Sequence, residues 1–350
     1  MVTESHEYIN FDYMEHRTIL REKSWDRSRK LVVFDELHKM RGWKSWLKGV
    51  YDVEGRPPGV LVTGSARLDV SRRAGDSLAG RYFLHHLHPF DIKEVSHEFS
   101  PEESFGRLLR FGGFPEPFLE ATDSFYRRWR RTHLDIILRQ DLVELESVRD
   151  LSGIETLIEM LRSRVGTPIS HASLARDLQR DPKTLKHWIE ILESMYVVFL
   201  VRPYHRNVAR SILKEPKCYF FDIAQGRDEE GSRLENLVAA AFAKEVDRLE
   251  DEGVVTVRLH YLRTKDGKEI DFALFPDHGP PLLVEVKVSD DAPSRWFGSF
   301  ERFFPGARKL QLVKDLKREK TYPDGLEVRN LVSWLARFDL SKILSAPQRR

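Results

Sequence analysis

Leu31-Val32-Val33-Phe34 is an uninterrupted apolar run that ends in two adjacent carboxylates, Asp35 and Glu36. Four apolar residues in succession leave no polar face for water, so the run reads as a strand covered on both sides, as in a parallel sheet. Parallel strands need crossover connections, and helices normally supply them, which restricts the fold class to α/β. The carboxylates fall at the C-terminal end of the strand, where open α/β sheets bind ligands. The same residues also fit a buried strand leaving through a solvated acidic turn, and the run alone leaves both readings open.

The flanking patterns extend this strand into a sheet. Tyr8 to Asp12 alternates as a short strand, and Glu15 to Lys23 carries helix formers. Trp43, Trp46, Leu47 and Val50 recur at the spacing of one helix face. A Gly-Pro-rich turn at 55–59 leads to Val60-Leu61-Val62, a second strand of buried type, which ends in Thr63-Gly64-Ser65. Arg81 to Leu87 is a third strand candidate, stopped by Pro89. Strands alternating with helices predict a doubly wound parallel sheet.

A length of 350 residues sets an expectation of two or three domains. With 57 Lys and Arg against 55 Asp and Glu the net charge is only +2, so any nucleic-acid site must be a local basic patch. A single cysteine, Cys218, excludes an internal disulfide and a multi-cysteine zinc cluster. No run approaches 18 apolar residues and no signal-peptide pattern opens the chain, so the expectation is a cytoplasmic protein without a membrane partner.

Beyond Pro101 the pattern becomes helical. Glu103 to Phe111 and Phe125 to Leu145 carry helical apolar spacing, interrupted by Gly112-Gly113-Phe114-Pro115. Four arginines between 127 and 131 fit either a grip on a nucleic-acid backbone or a solvated helix surface. Ser170 to Leu178 forms one helix, and Asp181-Pro182 caps and opens another through Glu193. Strands at Tyr196 to Val201 and Lys217 to Phe221 follow. Helix, turn, helix and hairpin is the order of a winged helix, in which Lys183, Lys186 and His187 would face DNA and Arg206 in the hairpin loop would touch phosphate. Such a module also serves as packing between domains.

The last third carries the sharpest chemistry. A helix opens at Ser232, with Leu234, Leu237, Val238, Ala241 and Phe242 on its apolar positions. Strands follow at Lys268 to Phe275 and Leu282 to Ser289. A hairpin symmetric about His278 sets Asp271 opposite Glu285, with Lys287 on the same face. Two carboxylates so placed can bind Mg²⁺ or Mn²⁺ and activate a water for attack on a phosphodiester, while the lysine stabilises charge on the phosphate. A cross-strand ion pair on an exposed sheet face fits the same spacing.

Two resemblances enter on these residues. The strings Val33 to Met40, Trp43 to Gly49, Val62 to Arg67 and Gly80 to Tyr82 resemble a prokaryotic family of AAA-type ATPases that carry a winged-helix segment and a nuclease-like domain after the ATPase core. The resemblance implies an ATP- and Mg²⁺-dependent enzyme acting on nucleic acid, with DNA as the expected partner, and subunits that assemble with copies of themselves. It makes Asp35 and Glu36 the Walker B pair, the first on Mg²⁺ and the second on the attacking water. It sets Thr63 or Ser65 as a sensor of the γ-phosphate region, and Arg67 and Arg81 as phosphate-contacting or trans-acting arginines. The pattern Asp271, Glu285-Val286-Lys287 with Glu235 on the preceding helix resembles the PD-(D/E)xK nuclease fold. That implies Asp271 and Glu285 as metal ligands, the Val286 carbonyl as a third, Lys287 as the catalytic cation and Glu235 as an outer carboxylate.

The fold expected is therefore multidomain α/β: an AAA P-loop NTPase core over 1–98, a helical lid over 99–150, a winged helix over 151–228, and a restriction-endonuclease-like αβ domain over 229–350. One departure stands out. No GxxxxGK[ST] occurs in the 350 residues. The backbone amides and lysine that cradle a triphosphate are then missing. The expectation is weak or no ATP binding by this chain, with the true start upstream, a truncated product, or a separately encoded piece supplying the loop. The alternative function is a non-catalytic DNA-binding or assembly protein with degenerate ATPase and nuclease modules.

Overall fold

The computed structural model describes residues 5–54, 58–64, 78, 80–136, 150–205, 215–226 and 229–345. The chain divides into two compact units, residues 1–84 and 85–350.

In the first unit, β1 (His6–Asn10), β2 (Leu31–Asp35) and β3 (Gly59–Val62) form a parallel sheet with β2 in the centre. The register aligns Tyr8 with Val33 and Val33 with Leu61. Helices α1 (Met14–Glu22) and α2 (Trp43–Glu54) connect the strands. Val32 and Phe34 are fully buried and Val33 nearly so, as an unbroken apolar run in a central parallel strand requires. The α2 stripe of Trp43, Trp46, Leu47 and Val50 packs into the same core. Trp25, Phe34 and Trp46 meet edge to face, with centroids 5.2 to 5.8 Å apart, the geometry aromatic quadrupoles favour.

Two expectations fail here. Val60 and Leu61 are each 43% exposed, because among the described residues β3 is an end strand of this sheet and not a central one. Arg81 to Leu87 forms no strand. A strand needs a hydrogen-bonded neighbour; the His86 amide instead donates to the Asp251 carboxylate at 2.6 Å, and Pro89 has no donor to offer.

The second unit opens with α3 (Pro101–Phe111), α4 (Pro115–Glu120) and α5 (Asp123–Ile136). The remainder of the long helix expected through Leu145 lies outside the described residues. Next come α6 (Leu151–Arg162), α7 (His171–Asp177) and α8 (Pro182–Ser194). Asp181 caps α8 by accepting the Lys183 amide at 2.8 Å. The hairpin β4 (Val198–Pro203) and β5 (Lys217–Phe220) then leads to the long α9 (Glu230–Asp251). Its expected apolar positions, Leu234, Leu237, Val238, Ala241 and Phe242, are all buried.

The remaining strands are β6 (Val257–Arg263), β7 (Glu269–Pro276), β8 (Leu282–Lys287), β9 (Arg308–Val313), β10 (Lys320–Thr321) and β11 (Leu326–Asn330). Together with β4 and β5 they form one mixed sheet in the order β10-β11-β9-β8-β7-β6-β4-β5. Short helices α10 (Trp296–Glu301), α11 (Leu331–Leu335) and α12 (Leu340–Ser345) complete the unit. The β4–β5 hairpin is thus continuous with the C-terminal strands, since β4 runs parallel to β6 through Arg202 and His260, and Pro203 and Tyr261. Among the described residues no helix is long and apolar enough to cross a membrane.

Candidate functional site

Two carboxylate centres result, one in each unit. In the first, Asp35 ends β2. Its Oδ1 accepts the Thr63 hydroxyl at 2.5 Å, and its Oδ2 accepts the Asn10 side-chain amide at 2.8 Å and the Tyr8 hydroxyl. The donors come from β1 and from the end of β3, so this one carboxylate ties together the C-terminal ends of all three strands. Burial pushes the Asp35 carboxyl upward, but the hydrogen bonds from Thr63, Tyr8 and Asn10 outweigh it and hold the group below the usual carboxylate range. Glu36 follows in the left-handed region at φ 56°, which turns its side chain out of the strand and opens a short 3₁₀ turn over Leu37–Lys39. Its carboxylate pairs with Lys39 Nζ at 2.9 Å, and the same ammonium reaches Asp12 at 2.6 Å.

The second centre is denser. The β7–β8 pairing of Phe272 with Val284, Ala273 with Leu283 and Leu274 with Leu282 ends just short of Asp271 and Glu285, the next residues of the two strands, which lie near enough for the Asp271 charge to act on Glu285. Asp271 Oδ2 accepts the Val286 amide at 2.9 Å, and Glu285 pairs with Lys287 Nζ at 2.8 Å. Glu235 reaches the same place from α9. Its neighbour Asn236 fixes the helix there by exchanging two hydrogen bonds with the Phe220 backbone, at 2.8 and 2.9 Å, as a partner strand would. Gly166 approaches so closely that a Cβ on it would lie 2.8 Å from Glu235 Oε2, and its φ of +74° also calls for glycine.

Sequence reasoning missed three members of this centre. Lys217, which opens β5 and is 1% exposed, places Nζ 2.8 Å from Glu235, 2.7 Å from Glu269 and 3.9 Å from Asp271. Tyr219 donates its hydroxyl to Glu235 at 2.6 Å. Glu269 is shared between Lys217 and Arg263, the latter at 3.0 Å. The only signal in the sequence was polarity at two positions of an otherwise apolar strand, Lys217 and Tyr219 in Lys217-Cys218-Tyr219-Phe220.

Four carboxylates therefore face Lys217, Lys287 and Arg263, one more anion than cations when all are charged. Burial raises Glu285 to about 8 and Glu235 to about 7, with the Asp271 charge adding to both shifts. Asp271 is also raised, by burial, against the pull of Lys217. Lys217 is held well above the usual ammonium range because Glu235, Asp271 and Glu269 together outweigh its burial.

Among the described residues no group of three or more His, Cys, Asp or Glu side chains is disposed to hold a metal ion. Asp271 and Glu285 nonetheless supply hard oxygen donors from facing positions. Such a donor set suits an ion that keeps several waters and takes one or two carboxylates, as Mg²⁺ does.

The other expected site residues are dispersed. Lys183, Lys186 and His187 are exposed on α8, opposite its buried face of Leu185, Trp188, Ile189 and Leu192. Arg81 pairs with Asp52 at 3.0 Å. Ser65, Arg67 and Arg206 lie outside the described residues.

Comparison with known proteins divides the chain in three. Residues 2–96 match a family described as an AAA domain. Residues 102–225 and 230–333 match two families, each described as a domain of unknown function. An uncharacterized protein of Methanocaldococcus jannaschii is 22% identical over 338 residues, covering 90% of this chain and 72% of that protein. Uncharacterized proteins of Mycobacterium bovis and Mycobacterium tuberculosis are each 27% identical over 192 residues, 55% of this chain and 42% of each relative. No solved structure gives a significant match. The AAA match supports an ATPase-like first unit.

Proposed function

We propose that the chain joins an AAA-type ATPase-like unit to a nuclease-like module that acts on nucleic acid at Asp271, Glu285 and Lys287. One observation carries the reading: Asp271 and Glu285 extend from the ends of the paired stretch of adjacent strands, near enough to interact, with Lys287 on Glu285, inside a cluster where carboxylates outnumber cations. Asp271 and Glu285 would hold Mg²⁺ or Mn²⁺, and the bound ion supplies an activated water and charge for the phosphate. Lys287, a third exposed, would meet the phosphodiester oxygens from the open side of the site. The helix-turn-helix order of α7 and α8, followed by the β4–β5 hairpin, suits a winged helix, with Lys183, Lys186 and His187 as its DNA-facing side chains.

Nicking of supercoiled plasmid with Mn²⁺ tests this. The wild-type chain nicks, and Asp271→Ala and Lys287→Ala do not. Equal cutting by wild type and Asp271→Ala overturns the assignment.

In the first unit the reading is a Walker B pair, Asp35 and Glu36, in a chain that binds Mg·ATP weakly for want of GxxxxGK[ST]. Thr63, Arg81 and, outside the described residues, Ser65 and Arg67 would belong to the same nucleotide site. Micromolar binding of Mg·ATP in calorimetry overturns that statement.

A second reading, a DNA-binding or assembly protein with silent modules, is favoured by the Asp35 carboxylate, whose two oxygens already serve donors from its own sheet. Plasmid left intact by a chain that still retards DNA in a gel would select it.

A further inference from the structure

Lys217 is a charged side chain with almost no contact with water, at the centre of three carboxylates. An ammonium has three N–H donors. Here Glu235 and Glu269 lie within hydrogen-bond distance, at 2.8 and 2.7 Å, while Asp271 at 3.9 Å is held by charge alone. The lysine head also lies over the Tyr261 ring, 5.4 Å from the centroid, and the Tyr261 hydroxyl is tied to the Glu215 carbonyl at 2.6 Å. Glu235 is enclosed as well: Tyr219 and Lys217 both engage Oε1, and the Gly166 backbone closes on Oε2. A divalent ion on Glu235 or Glu269 would have to stand beside a fixed ammonium and displace its hydrogen bonds.

We infer that Lys217 is a positioning residue that serves as the resident cation of the inner half of this cluster, withholding Glu235 and Glu269 from metal and leaving one divalent ion to Asp271 and Glu285. The inference rests on the metal-dependent reading above and narrows it to a single-ion site. It also makes the site composite. Lys217 and Tyr219 belong to the segment 102–225, the carboxylates to 230–333, and neither segment holds the centre alone.

The test counts bound Mn²⁺ per 350-residue chain by electron paramagnetic resonance. Wild type binds one ion, Asp271→Asn none, and Lys217→Met, with Glu235 and Glu269 released, binds one more than wild type. Equal counts in wild type and a folded Lys217→Met overturn the inference, as does a wild-type count of two, which leaves the metal-dependent reading standing. A count of zero in wild type overturns the metal-dependent reading and the single-ion inference with it, whatever Lys217→Met binds. If Lys217→Met does not fold, Glu269→Gln decides: an unchanged Mn²⁺ count and affinity supports the inference, and a lost ion or a tenfold weaker one overturns it.

Discussion

The Asp35 centre and the Asp271–Glu285 centre are both carboxylates at strands of a sheet, yet their surroundings are opposite. Around Asp35 there are more donors than acceptors: Tyr8, Asn10 and Thr63 converge on one carboxylate, and its acidity is strengthened. Around Asp271 there are more carboxylates than cations: Glu235 and Glu285 are made less acidic by burial and by the Asp271 charge, and Asp271 by burial and by Glu269. A carboxylate whose oxygens are filled by its own sheet acts as a clasp. A buried set with unbalanced negative charge is poised to take up protons or a cation, and strongly shifted groups of that kind concentrate at functional sites.

The most severe way to break the contrast is Lys217→Ala. Removing the buried ammonium of this cluster takes the nearest cation from Glu235 and Asp271 and leaves Glu269 to Arg263 alone, at a cost of about 3–5 kcal/mol. Urea unfolding should show that loss at pH 8 and a smaller one at pH 5, where the carboxylates can protonate instead.

Asp35→Ala, by contrast, removes one acceptor from three donors that solvent can partly reach. The expected loss is about 2 kcal/mol, confined to unfolding of the first unit.

The two centres should also carry opposite pH slopes. Glu285 and Glu235 have native values raised from 4.5 to about 8 and about 7, so the native state binds more protons than the unfolded chain in that window. Stability of the second unit therefore falls as pH rises from about 4.5 to about 8. Glu285→Gln should flatten this slope in thermal melts. Asp35 is lowered, so its contribution is present above the ordinary carboxylate range and is lost as pH falls through its native value. Asp35→Asn should weaken that acid-side dependence without touching the slope above it.

The smallest expected effect is on α8. Lys186 is exposed and pairs only loosely with Glu190 at 3.6 Å, so Lys186→Ala should change stability by less than about 0.5 kcal/mol. If α8 meets DNA, the same variant lowers the salt slope of binding by about one.

Much of this was legible because it is local. The apolar run 31–34 announces a central parallel strand, Asp181-Pro182 announces a helix start, and both are found. The β7–β8 register was readable from alternation and a turn of defined length, and the structure pairs Phe272 with Val284, one step short of Asp271 and Glu285. The misses have physical causes too. Arg81 to Leu87 has strand composition, but among the described residues it joins no sheet. Strand β6 carries Arg258, His260 and Arg263 among its apolar residues, so its sequence shows neither a buried run nor a clean alternation.

The sequence by itself determined which residues are strand and helix in these stretches, and which side chains share a face within one hairpin or helix, because periodicity and turn length act over a few residues. Only the tertiary structure decided that Lys217, from a strand read as part of a separate module, lies among Glu235, Glu269 and Asp271. That meeting depends on β4 and β5 joining the C-terminal sheet and on Asn236 seating α9 against Phe220. Such long-range packing, not any local pattern, sets which charges share a low-dielectric interior and hence what the carboxylates can bind.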